Sequence, residues 1–114
     1  TTSMYGEGTY FARDASYSLN YSQEINNTKI FMLCKVLCGK MFTGSGSYKL
    51  DKWPKQANGL KYDSLVNNMN NPSIFVIHDD FRVYPMFIIH YQRGNSVKHG
   101  SKSMDDEKEC MPSQ

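Results

Sequence analysis

Tyr10, Tyr17 and Tyr21, with Ser16 and Ser18 between them, crowd the stretch GEGTYFARDASYSLNYS from Gly6 to Ser22. Phenol rings stack on flat groups and attract cations, and hydroxyls both donate and accept hydrogen bonds. The set is suited to holding something. Taken singly, each residue also has a plainer reading. Tyr10 in a β-type run is a core aromatic, Ser18 an ordinary helix serine, and Tyr21 a core or interface ring. Tyr17 and Ser16 serve packing or solvent. Other reactive side chains are sparse. Cys34 and Cys38 would share a strand face roughly 13 Å apart, too far to share a metal ion. With Cys110 in a polar tail, the odd count does not make a disulfide framework. Buried free thiols in a reducing compartment, nucleus or cytoplasm, are expected. His78 and His90 lie in or beside strands and are read as structural.

The elements that must position this cluster follow from local pattern. Thr9-Tyr10-Phe11-Ala12 is a short β-run entered through two glycines, and Asp14 is a suitable N-cap for a helix over Ala15 to Tyr21. Asn26-Asn27 breaks the pattern. Lys29 to Cys38 is nearly all apolar and ends at Gly39, which predicts a strand buried on both faces. Thr43 to Ser47 is a flexible turn, followed by a long polar loop to Gly59 with Trp53-Pro54 as its anchor. Tyr62 to Val66 is a short strand, Ser73 to His78 a strong one, and Met86 to Tyr91 another. Residues 93–114 hold four basic and four acidic side chains and scarcely any apolar ones, so a disordered tail is expected after a folded part at 1–92.

Composition bounds the partners. Thirteen basic against eleven acidic residues leave a net charge of +2, too little to argue for nucleic acid or an anionic membrane. There is no apolar run of transmembrane length and no signal-peptide pattern. At 114 residues the chain is one domain at most. It opens on the loop-like Thr1-Thr2-Ser3 rather than on Met, which leads to the expectation of a fragment.

Four ordered blocks carry a resemblance. Tyr5 to Ser18 (YGEGTYFARDASYS) is very similar to the second signature block of the diphtheria-toxin-like ADP-ribosyltransferases, the PARP family. Phe31 to Gly39 (FMLCKVLCG) resembles the family's buried strand, and Tyr62-Asp63-Ser64 with Val66 the segment before its last catalytic strand. Asn71 to Ile77, then Tyr84-Pro85 and Ile88-Ile89, resemble the closing strands of the mono-ADP-ribosylating branch. The likeness covers about residues 3 to 92. It implies an α+β ADP-ribosyltransferase fold, mostly antiparallel β-sheets with one short helix beside the nicotinamide site, here as an incomplete fragment.

It also implies NAD as a substrate and protein acceptors as partners. Nucleic acid would be met only through domains absent from this chain. The members nearest in pattern pair this domain with CCCH fingers or a WWE module. The cluster would then hold nicotinamide, a flat, electron-poor ring suited to stacking and cation–π attraction. By resemblance Tyr10 is the tyrosine of the His-Tyr-Glu triad, Ser18 bonds the carboxamide, and Tyr21 stacks on the ring. Ala12 lines the same site. Ser18 and Tyr21, three apart on a helix, share a face.

Two departures shape the expected activity. Where polymer-forming members place the triad glutamate, this chain has Ile74, which can neither orient a ribose hydroxyl nor activate an acceptor hydroxyl. A single transfer is expected, not elongation. The triad histidine should lie upstream of Tyr5 and is absent, and His99-Gly100 in the polar tail is no substitute. Exposed strand edges and unburied apolar faces should follow, so the isolated polypeptide is expected to fold poorly, with activity kept for the full-length protein. Two other readings stand beside the enzyme: an inactive scaffold of the same fold, and an unrelated β-domain that binds peptides along a sheet edge.

Overall fold

The computed structural model describes residues 4–92 and 109–112. In chain order it contains β1 (Thr9–Ala12), α1 (Ala15–Tyr21), β2 (Glu24–Ile25), β3 (Thr28–Val36), β4 (Met41–Thr43), β5 (Ser64–Val66), β6 (Ile74–Ile77), β7 (Val83–Gln92) and β8 (Glu109–Pro112). The architecture is mostly strand in two sheets with one short α-helix, the composition expected. β1 and α1 have the predicted bounds. Asp14 stands at the N-cap of α1, but its side chain makes no capping hydrogen bond there. Its carboxylate instead accepts from the Arg13 Nε at 3.4 Å.

The strand order is β2-β3-β8-β1-β6-β5-β4, with β7 also paired to β3, so β8 links the sheet of β1 to the sheet of β3. Every pairing is antiparallel except β4 with β5. β2 and β3 form a hairpin around Asn26 and Asn27, which take φ of +52° and +62°. Asparagine tolerates this left-handed backbone better than any residue but glycine. The sequence pattern had marked these two only as a break.

Alternation along the strands sorts the core. Phe11, Phe75, Ile77, Val66, Cys34, Val36 and Cys38 form one buried cluster. On the opposite face, Phe31 and Leu33 of β3 pack against Ala15 and Leu19 of α1. β3 is not buried on both faces throughout, as its apolar run predicted: Ile30 is 51% exposed. It also stops at Val36, two residues short of the expectation, and Cys38 is already in the connection to β4.

The long loop is anchored as expected, by Trp53, which is buried and donates its indole N–H to the Tyr62 carbonyl at 2.9 Å. β4 falls in a segment with no strand signal and is held by its parallel partner β5. The tail differs from expectation. Glu109–Pro112 is not structureless but forms β8, pairing with β3 at Cys34 and Lys35 and with β1 at Phe11 and Ala12. Open backbone groups on two neighbouring strands accept an extended segment whatever its side chains, which is why apolar content did not reveal it. The rest of that tail, His99-Gly100 included, lies outside the described residues.

β7 bears out the expected unburied apolar surface: Phe87 is 60% and Ile88 65% exposed. Among the described residues no helix is long and apolar enough to cross a membrane.

Candidate functional site

Tyr10 and Ala12 alternate with Phe11, so they face away from the Phe11 cluster and toward the side on which α1 packs. Tyr10 opposes Val76, and Ala12 directly opposes Ile74, across β1 and β6. Tyr10, Ala12 and Ile74 therefore share one sheet face, with α1 beside it. The register brings together residues that lie far apart in the chain.

Tyr10 is half-buried against the cluster of Trp53, Leu65 and Val76. Its hydroxyl donates to the Gly6 carbonyl at 2.6 Å and accepts from the Tyr5 N–H at 3.0 Å. Burial pushes the phenol above its ordinary pKa, while the two backbone hydrogen bonds pull the other way. The glycines make this loop possible. Gly6 adopts φ +131°, where a Cβ would lie 2.6 Å from the Leu65 Cδ1. A Cβ on Gly8 would lie 2.8 Å from the Ile77 carbonyl oxygen and disturb the β1–β6 ladder.

Ile74 is 4% exposed. Its placement depends on Asn67, whose side-chain oxygen accepts from the Ser73 and Ile74 N–H groups at 3.0 and 3.1 Å. The Asn67 amide nitrogen donates to the Ser73 hydroxyl at 2.9 Å. Arg13 closes the other side, donating to Asn71 Oδ1 at 2.9 Å and to the Pro72 carbonyl at 3.2 Å. The sequence pattern marks these asparagines only as strand stoppers. Asn68 makes the local turn that its residue type signals, its Oδ1 accepting from the Asn70 and Asn71 N–H groups at 2.8 and 3.3 Å.

Ser18 is fully buried on α1, and its carbonyl accepts from both the backbone N–H and the hydroxyl of Ser22, at 3.1 and 2.9 Å. Tyr21 is the last residue of the helix, three positions on. Lys29, 8% exposed on β3, donates its ammonium to the Leu19 carbonyl. Ser22 and Lys29 thus satisfy two of the carbonyls that a helix end leaves open. Neither was singled out by the sequence. Lys29→Met is expected to cost about 1–2 kcal/mol, because the Leu19 carbonyl loses a charged donor. Faster amide exchange at Ser22, with β1 unaffected, is the measurement that checks it.

His78 has the structural role expected of it. Its Nε2 lies 3.2 Å from the Tyr62 carbonyl, and its ring meets Trp53 edge-on at a centroid distance of 4.8 Å. Cys34 and Cys38 are both buried, as expected of them.

Residues 1–62 match the poly(ADP-ribose) polymerase catalytic domain. The chain belongs to that family. It is 41% identical over 87 residues to the human protein mono-ADP-ribosyltransferase PARP12, covering 76% of this chain and 12% of that protein. It is 36% identical over 94 residues to human protein mono-ADP-ribosyltransferase PARP14, covering 78% of this chain and 5% of the relative. The mouse protein mono-ADP-ribosyltransferase PARP10 is 37% identical over 91 residues, covering 75% and 9%. The chain therefore spans a small part of the length of the curated relatives it matches. These relatives agree with the mono-ADP-ribosylating branch to which the closing strands pointed.

Proposed function

We propose that this chain forms the nicotinamide-side half of a mono-ADP-ribosyltransferase catalytic domain of the ADP-ribosyltransferase fold. The whole protein would transfer ADP-ribose from NAD to a protein side chain and release nicotinamide. The observation that carries the reading is the β1–β6 register: Tyr10 and Ala12 stand on one face with Ile74, and α1, bearing Ser18 and Tyr21, packs on the same side.

In this reading Tyr10 and Tyr21 flank the nicotinamide ring and the Ser18 hydroxyl bonds its carboxamide. Nicotinamide leaves C1 of the ribose as an oxocarbenium-like centre develops, and the acceptor nucleophile forms the new bond to that carbon. Bound geometry and electrostatics supply the acceleration. Ile74 provides no carboxylate to activate a ribose hydroxyl for a second addition, so the acceptor's own nucleophile must suffice. An acceptor carboxylate needs no such activation. The relatives' names give the scaffold reading no support.

The test uses the full protein with labelled NAD and a nicotinamide analogue. Single ADP-ribose additions are expected, together with an analogue-induced rise in melting temperature that Tyr21→Ala abolishes. Long polymers made with Ile74 in place, or an analogue response indifferent to Tyr21→Ala, would overturn the proposal.

A further inference from the structure

Cys34 and Cys110 occupy directly opposed positions in the antiparallel pair of β3 and β8. Opposed residues in such a ladder lie about 4.5 or 5.5 Å apart between Cα atoms, depending on the hydrogen-bonding class of the pair. Both spacings fall inside the range a disulfide spans. The other cysteine does not compete: Cys38 is beyond the end of β3, four residues along the chain from Cys34.

We propose that Cys34 and Cys110 form a reversible disulfide that fastens the C-terminal strand into the gap between β1 and β3. Place and chemistry both support it. β8 is a short strand that reaches β1 at Phe11 and Ala12, so the fastening sits beside the strand that carries Tyr10. Cys34 and Cys110 lie far apart in the sequence, so a cross-link between them closes a long ring and restricts the unfolded chain.

The oxidant is a small disulfide such as oxidised glutathione. The Cys110 thiolate attacks one glutathione sulfur, giving a mixed disulfide and a glutathione thiolate. The Cys34 thiol then gives up its proton and attacks the Cys110 sulfur, releasing the second glutathione. Two protein thiols are oxidised and one glutathione disulfide is reduced to two thiols. Burial pushes the Cys34 thiol above its ordinary pKa, so it is a poor target for the oxidant in solution and is reached through Cys110, opposite it in the ladder. Exchange of this kind is reversible and suits a compartment in which disulfides are transient.

The experiment treats the full protein with oxidised glutathione and maps its peptides without reduction. A linked Cys34–Cys110 peptide is expected, retained in Cys38→Ser, lost in Cys110→Ser and reversed by dithiothreitol. In the wild type, oxidation should raise the melting temperature by several degrees and slow amide exchange at Met111, and Cys110→Ser should show neither change. Cys110→Ser leaves the buried Cys34 in place, so it tests the bond without altering that part of the core. Glutathione adducts without the linked peptide, or links to Cys38 or between molecules in its place, would overturn the inference. None of these outcomes depends on NAD turnover.

Discussion

Ile74→Glu in the full protein is expected to lower stability by about 3 kcal/mol or more at neutral pH. The side chain is almost entirely enclosed, its backbone N–H is already held by Asn67, and it directly opposes Ala12, which has no polar side-chain atom to offer. A carboxylate there loses water and gains no named partner. Burial would raise the new group's folded pKa above its unfolded value. The acid is then tolerated at low pH, and the penalty grows as pH rises through the folded pKa. Urea unfolding of wild type and variant at several pH values checks this. The difference between them should be small in acid and widen toward neutrality. A variant as stable as wild type at pH 7 would show that position 74 is open to water, and with it that the face shared with Tyr10 is hydrated. Ile74→Val serves as the control, with a cost of about 1 kcal/mol.

Tyr10→Ala is expected to be nearly as severe, at about 2–3 kcal/mol, since it removes a ring from the Trp53, Leu65 and Val76 cluster and leaves the Tyr5 N–H without its acceptor. Tyr10→Phe separates the two contributions, keeping the ring and losing the hydroxyl's two hydrogen bonds, at about 1 kcal/mol. The nicotinamide-analogue response should survive in Tyr10→Phe and vanish in Tyr10→Ala, because stacking requires the ring and the hydroxyl is already committed to Gly6 and Tyr5. An analogue response lost equally in both would assign recognition to the hydroxyl instead. The raised phenol pKa adds a signature in alkali. Its contribution is intact below the unfolded tyrosine value near 10 and is lost as pH rises through the folded one. Tyr10→Phe should therefore flatten the alkaline limb of the stability profile.

What the sequence revealed was local. The bounds of β1 and α1 follow from a glycine entry, a β-run and an N-cap residue type, all within a few positions of one another. The place of β6 followed in the same way from a β-branched and aromatic run after a turn. What it concealed was pairing. That Ala12 faces Ile74, that β4 lies parallel to β5, and that Lys29 reaches the end of α1 are contacts between distant positions, and no periodicity encodes them. The hairpin at Asn26-Asn27 was missed for another reason: the same residue type that ends one element can reverse the chain into the next. Ser18 stood out only through the likeness to the family, for a lone helix serine has no chemical distinction until its surroundings are known.

The ladders around β8 are short, two paired positions toward each neighbour, whereas β3 and β7 are zipped along almost their whole length. Stiffness is accordingly uneven. Under mechanical load or a slow thermal ramp, the seam at β8 should part first while the long ladder stays elastic and whole. The strand carrying Tyr10 would then lose a lateral brace on one side only, tilting against β6 rather than melting.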